Sequence, residues 1–354
     1  MSDTGKSLVF VDVDTGVDDA LALVYLLASA DAQVVGIAST SGNVAVQQVC
    51  ANNLGLLELC GITGVPVSRG SDETLGGPVR APSKVHGPRG LGYADLPPTD
   101  RQLTSYDSAT AWVRAAQAHP GELIGVATGP LTNLALALRA EPALPTLLRR
   151  LVIMGGSYDH RGNTTPVAEW NISVDPEAAA EVLAAWPSKA AETAEAVEPQ
   201  RLPTLCGLDL TRNVAMTPEH LARLAAAAGS TTTVMSSLDE RGTRSTASNP
   251  LIRVIEDAMR FYMEAYNDNG HGYQAHLHDP LAAAVALDPG LVVTRPAMVE
   301  VELTGTLTRG MTVTDWSGRR EANALIGVGV DPTVFFDRFI ERVGPFARRL
   351  GGYS

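Results

Sequence analysis

Four aspartates, Asp12, Asp14, Asp18 and Asp19, stand within the stretch DVDTGVDDA near the start of the chain. The apolar run before them, 7–13, reads as a buried strand. Residues two apart on a strand leave the same face, which puts Asp12 and Asp14 side by side. Thr15-Gly16 turns the chain, and Asp18 and Asp19 open the next helix. Capping and the helix dipole favour acid at a helix start, a sufficient reason for Asp18 or Asp19 standing alone. They give no reason for Asp12 and Asp14, which interrupt a hydrophobic strand end. Like charges this close raise one another's pKa or destabilise the fold unless a cation lies among them. With oxygen donors only and no Cys/His set nearby, a hard divalent metal is the economical occupant.

The elements that must position this cluster alternate in type. Strands are expected at 7–13, 33–40, 65–68, 122–128, 150–155 and 204–210, and helices at 18–30, 44–60, 107–119, 130–140, 175–186 and 217–228. A helix at 249–267, one from 279, strands near 297–303, 311–316 and 323–329, and a helix from 332 complete the pattern. The strands are continuous apolar runs separated by amphipathic or apolar helices, which predicts a mostly parallel sheet covered on both faces. The expectation is one α/β domain, 1–354, built on an open, doubly wound, Rossmann-like sheet with its site at the carboxyl ends of the strands. The Ala/Glu/Pro-rich segment 187–203 reads as a surface insertion, and 69–100 and 229–277 as loops that shape the site. Segment 156–174 reads as a further loop.

Composition narrows the chemistry. The chain has 354 residues and a formal net charge of −12, which argues against a nucleic-acid polymer as partner but not against a neutral small molecule. No apolar run is long enough to span a bilayer, and the N-terminal stretch is a poor signal peptide, so the expected address is the cytoplasm. Cys50, Cys60 and Cys206 fit neither a disulfide framework nor a zinc spacing and are expected to be reduced and structural.

The cluster Asp-x-Asp-x-Gly-x-Asp-Asp-Ala at the first strand–helix junction resembles the signature of the nucleoside hydrolases, with Thr15 where their usual form has Pro. The likeness continues through SGNV around Asn43, KVHGPRGLG with His86, ATGPLTNLA with Thr128 and Asn133, MGGS with Met154, AEWNISVDPEAA with Glu169, Trp170 and Asn171, and HDPLAAA with His278 and Asp279. This resemblance implies a Ca²⁺-dependent hydrolase that cleaves the N-glycosidic bond of ribonucleosides in purine or pyrimidine salvage, and a homodimer or homotetramer. By it, Asp14, Asp19, Asp279 and the Thr128 carbonyl would ligate the metal, with Asp12 behind them. Asp14 would also activate the water. Asp18, Asn43, Glu169 and Asn171 would hold the ribose hydroxyls, with Met154 and Trp170 packing nearby.

Expulsion of the base calls for a proton donor that works near neutral pH, and histidine is the natural type. His278 and His86 are the expected catalytic histidines, with His276 and Tyr273 as further candidates for proton delivery. His119 and His220 read as helix-surface residues. Asp279 has a rival explanation, because Asp-Pro is a common helix start and occurs here at 175–176, 279–280, 288–289 and 331–332. In the purine-specific branch of the family a Trp stands at the position of His278. Histidine there implies the branch that takes pyrimidine nucleosides or both classes.

Three other readings compete. A Mg²⁺-dependent phosphatase of the haloacid dehalogenase type shares an Asp-x-Asp strand end. It needs a downstream Lys and an acidic motif that Lys84 and Lys189 do not supply. A non-catalytic nucleoside or ribose sensor would keep the metal site without turnover. A dinucleotide-binding dehydrogenase lacks its glycine fingerprint here.

Overall fold

The computed structural model describes residues 5–79, 84–186, 202–232 and 235–352. The first part of the chain runs β1 (Ser7–Val13), α1 (Val17–Ala28), β2 (Ala32–Ser39), α2 (Val46–Leu59), β3 (Val67–Arg69), β4 (Glu73–Thr74), β5 (Gly77–Pro78) and α3 (Ser108–Ala118). The middle runs β6 (Leu123–Ala127), α4 (Thr132–Ala140), α5 (Leu144–Leu147), β7 (Leu148–Met154), α6 (Trp170–Val174), α7 (Pro176–Ala184), β8 (Thr204–Cys206) and α8 (Leu208–Thr211). The last part runs β9 (Ala215–Met216), α9 (Pro218–Ala227), α10 (Pro250–Asp268), β10 (Ala275–His276), α11 (His278–Leu287), β11 (Val292–Val301), β12 (Thr312–Asp315), β13 (Ala324–Val330) and α12 (Pro332–Leu350).

Nine strands form the central sheet in the order β12-β11-β13-β8-β7-β6-β1-β2-β3. Every neighbouring pair from β13 to β3 is parallel, and β11 is antiparallel to both β13 and β12. The chain leaves β1 toward β2 and β3, then returns to lay β6, β7 and β8 on the other side. The strand order therefore reverses between β1 and β6, the place where open α/β sheets bind ligands.

The side chains of β1 alternate as the strand period requires. Val9, Val11 and Val13 enter a core with α1, α10, α11 and α12, whereas Leu8 and Phe10 enter the opposite core with α3, α4 and α7. Helix α1, apolar nearly all round, is buried along almost its whole length between the sheet, α11 and α12. A helix of that composition has no face to give to water.

The observed elements depart from expectation in several places, among them the short β4–β5 ribbon inside the loop 69–100 and the one-turn α5. The strand expected over 204–210 stops at Cys206, because Gly207 turns the chain into the short α8. The loop expected over 156–174 contains α6, started by the Glu169 side chain, which accepts from the backbone N–H groups of Asn171 and Ile172. The strand expected at 297–303 begins earlier, at Val292, and pairs with β13 through its first residues. A two-stranded ribbon of β9 and β10 was not expected at all. Of the expected surface insertion, 187–201 lies outside the described residues, as does 80–83 of the loop 69–100. No described helix is long and apolar enough to cross a membrane.

Candidate active site

The carboxyl ends of β1, β6 and β7 and the turns after them open onto a cleft of about 530 Å³. Its floor is the acidic cluster. One carboxylate oxygen from each of Asp18, Asp19 and Asp279 lies within 4.8 Å of the others, and all three residues are buried. Asp14 lies beside them. Its Oδ2 accepts the Asn43 backbone N–H at 2.7 Å, while its Oδ1 is buried with no hydrogen-bond partner. Asp19 is held by the Thr128 hydroxyl at 2.7 Å and by the Gly16 backbone N–H at 2.9 Å. Helix-start capping is thus part of what Asp19 does.

The chain approaches the cluster closely enough to exclude side chains. A Cβ on Gly42 would sit 2.1 Å from Asp14 Oδ2, and one on Gly16 would sit 2.7 Å from Asn43 Nδ2 and 2.8 Å from His86 Nδ1.

Electrostatics sets this cluster apart from a surface patch. Burial, then repulsion from Asp19, pushes Asp14 and Asp18 well above the ordinary carboxylate range. Burial, then Asp18 and Asp19, does the same to Asp279. A divalent cation relieves this strain, and an all-oxygen set containing an unpartnered buried carboxylate oxygen suits a hard one. These residues can hold a metal ion.

Asp279 owes nothing to capping. The N-cap of α11 is Leu277, with no side-chain cap bond, whereas Asp175, Asp288 and Asp331 each accept from backbone N–H groups at the starts of their own helical segments. Three of the four Asp-Pro pairs are therefore caps, and the fourth turns its carboxylate to the cluster.

Asp12 and Asp14 do not end as neighbours on one face. Asp12 points into the core under α3 and α4, where Trp112 Nε1 donates to it at 2.7 Å and Asn133 Nδ2 at 3.0 Å. Burial still pushes its pKa up to about 6, against the pull of these two donors. The strand ends at Val13, so the two-residue spacing no longer governs where Asp14 points.

Amides and a carboxylate from β7 and α6 form one wall. Asn171 Nδ2 donates to the Thr128 carbonyl at 2.7 Å and to the Met154 carbonyl at 3.1 Å. Glu169 accepts backbone N–H groups from Asn171, Gly156 and Ile172, yet burial raises its pKa to about 7. Trp170 also lines the cleft, and its indole Nε1 is buried without a partner.

Aromatic rings from α10 and the β10–α11 junction form the opposite wall. His278 Nδ1 pairs with the Thr211 hydroxyl at 2.7 Å and its Nε2 with the Tyr266 hydroxyl at 3.1 Å. His276 lies edge-on to Tyr266 and to His278. His86 Nδ1 accepts the Val17 backbone N–H at 3.1 Å, so the neutral ring carries its proton on Nε2. Burial lowers the His86 pKa to about 3 and, with help from Arg212 and His271, that of His276 to about 4.

The cleft is lined by Asp18, Asn43, His86, Thr128, Met154, Glu169, Trp170, Asn171, His276, His278 and Asp279. Asp12, Asp14 and Asp19 lie beneath that lining. Tyr273 does not line it, and no described residue of 229–248 does either. That segment instead packs polar side chains on the buried charges of α10, among them Arg244 on Asp257 and Asp239 on Arg260. His220 is not a plain surface residue, since it pairs with Thr217 at the start of α9 and stacks on Phe336 at 3.8 Å. The three cysteines are free and buried.

Sequence reasoning missed Tyr262, Tyr266, Thr211 and Arg212. The tyrosines carry a usable signal, a four-residue spacing that places both on one face of α10. Thr211 and Arg212 carry none, because they fall just past the strand expected over 204–210, which hid the short helix α8 that presents them.

The sequence model of the family described as inosine-uridine preferring nucleoside hydrolase matches residues 9–337. The inosine-uridine preferring nucleoside hydrolase of Crithidia fasciculata is 31% identical over 346 residues, covering 97% of this chain and 98% of its own. The pyrimidine-specific ribonucleoside hydrolase RihA of Citrobacter koseri is 33% identical over 344 residues, covering 96% of this chain and 98% of its own. A solved purine-preferring ribonucleoside hydrolase from Gardnerella vaginalis superposes with a TM-score of 0.83 at 28% identity, over 97% of this chain and 99% of that one. The chain belongs to the nucleoside hydrolase family. It is a hydrolase that acts on N-glycosyl compounds, and its substrates are ribonucleosides.

Proposed function

We infer that the protein cleaves both pyrimidine and purine ribonucleosides to base and ribose, with Asp14 as the general base and Ca²⁺ as its metal. The observation that carries this reading is the buried, unpartnered Oδ1 of Asp14 beside the carboxylates of Asp18, Asp19 and Asp279. Asp14, Asp19, Asp279 and the Thr128 carbonyl would hold the ion, with Asp12 fixed behind them by Trp112 and Asn133. When bound, Ca²⁺ supplies a Lewis acid that orients the ribose diol and lowers the pKa of a water.

The protein's own groups do the rest. Asp14 takes a proton from the attacking water as oxygen bonds to C1′. Asp18, Asn43, Glu169 and Asn171 bind the ribose hydroxyls, and Met154 and Trp170 close over the sugar. Cleavage of this bond passes through an oxocarbenium-like state, and the ring of carboxylates and amide oxygens favours its positive charge. The C1′–N electron pair leaves with the base, whose proton comes through Tyr266 and His278, hydrogen-bonded at 3.1 Å, while His86, held by the Val17 backbone N–H, packs beside Asp18 at the metal end of the cleft. Tyr273, outside the cleft lining, takes no part.

Incubation with uridine, cytidine, inosine and adenosine, with free ribose as the readout, tests the reading. Release from at least one pyrimidine and one purine nucleoside is expected. Release confined to one class would refute the dual specificity, and release from none would refute the reading as a whole.

A further inference from the structure

Arg212 lines the cleft and has no role in the reaction above. It follows α8 directly and lines the same cavity as the acidic floor. It is next in sequence to Thr211, whose hydroxyl holds His278, so a short rigid turn ties its position to that wall. Its positive charge reaches both the Tyr266 phenol and the His276 ring. It partly offsets the upward push of burial on the phenol and adds to the downward push of burial on the imidazole.

The charge is poorly satisfied where it stands. Its guanidinium contact is Nη1 with the exposed His160 ring at 3.3 Å, and among the described residues no carboxylate pairs with it. Most other arginines of the chain for which partners are described, such as Arg89, Arg139, Arg244 and Arg320, are paired with Asp or Glu. The cleft is thus polarised, with carboxylates at the sugar end and an unpaired, half-buried cation beside the aromatic wall.

We propose that Arg212 is a catalytic residue of the leaving-group side, donating hydrogen bonds from its guanidinium to a ring carbonyl oxygen of the base. The proposal rests on the reading above, in which the base lies against the Tyr266–His278 wall. As the C1′–N bond breaks, its electron pair moves onto the base. In a lactam base such as uracil or hypoxanthine that charge delocalises onto the ring oxygen. A planar, permanently charged donor fork in a sheltered cleft stabilises such an oxygen, and more so as charge develops. The water oxygen bonds to C1′, one water proton goes to Asp14, and the base nitrogen ends protonated, so the reaction remains a hydrolysis. Adenine, which has no ring carbonyl and carries an amino group where hypoxanthine carries oxygen, presents a donor to a donor there and gains less.

The test compares wild type with Arg212→Ala and Arg212→Lys on uridine, inosine, adenosine and 4-nitrophenyl β-ribofuranoside, whose leaving group departs as a stable anion without help. Arg212→Ala should lower kcat/KM for uridine and inosine by about 100-fold, the scale of losing one charge-stabilising donor. The loss should be at least about ten times greater than for the nitrophenyl riboside, and greater than for adenosine. Arg212→Lys should restore part of it. Equal losses on all four substrates, or no loss on uridine, would overturn the proposal. Failure of wild type to release ribose from any nucleoside would instead remove the reading on which it rests.

Discussion

Asp14→Asn should lower kcat on uridine by about 10³-fold or more, the upper range for loss of a general base. The amide keeps the shape of the side chain, and its oxygen can still accept the Asn43 backbone N–H that now bonds Oδ2 at 2.7 Å. What it replaces is Oδ1, the buried oxygen without a partner. An NH₂ group there neither accepts a proton from water nor ligates a cation. The fold should survive, because the variant removes one of several like charges that burial and Asp19 already strain. The thermal midpoint of the metal-free protein is therefore expected to hold or rise. A variant that stays folded and keeps kcat within tenfold of wild type would remove Asp14 from the chemistry.

The second large effect concerns the substrate. 2′-Deoxyuridine should be turned over with kcat/KM lower than uridine by about 10³-fold, because a site built to bind a hydroxyl rejects the analogue that lacks it. The direction is diagnostic. In water the deoxynucleoside bond is the more labile of the two, since the 2′-oxygen withdraws electrons from the forming cation. Only contacts to the diol can reverse that order. Asp18 and Asn171 line the cleft with buried polar groups, and both would be left with an unmatched partner. Equal kcat/KM for the two substrates would show that the diol is not held as proposed.

Much of this architecture was legible from local chemistry. The parallel sheet followed from continuous apolar strands, and β1 alternates between its two cores as a strand with both faces buried must. The acidic floor was legible because Asp12 and Asp14 interrupt such a strand, and Asp279 joined it through the family likeness. The parts that were missed depend on where a short element ends. Reading 204–210 as one strand hid the turn at Gly207, and with it Thr211 and Arg212. Period-two reasoning put Asp12 and Asp14 together, but the strand stops at Val13, so one faces Trp112 and the other the cluster. Segment 229–248 is as polar as a site loop would be, yet its Ser, Thr and Arg side chains answer the buried acids of α10, such as Ser245 on Glu256 and Arg244 on Asp257. Composition cannot tell these two uses of polar residues apart.

Metal removal and replacement bears most directly on the carboxylate floor as a cation site that binds the sugar. The protein would be stripped with a chelator, freed of the chelator by exchange, and assayed for ribose release from uridine before and after Ca²⁺ is restored. The account predicts that stripped protein loses at least about 99% of its activity, in keeping with a Lewis acid that supplies several kcal/mol of stabilisation. It also predicts that Ca²⁺ restores the activity in wild type but not in Asp279→Asn. Undiminished ribose release from fully stripped protein would contradict it.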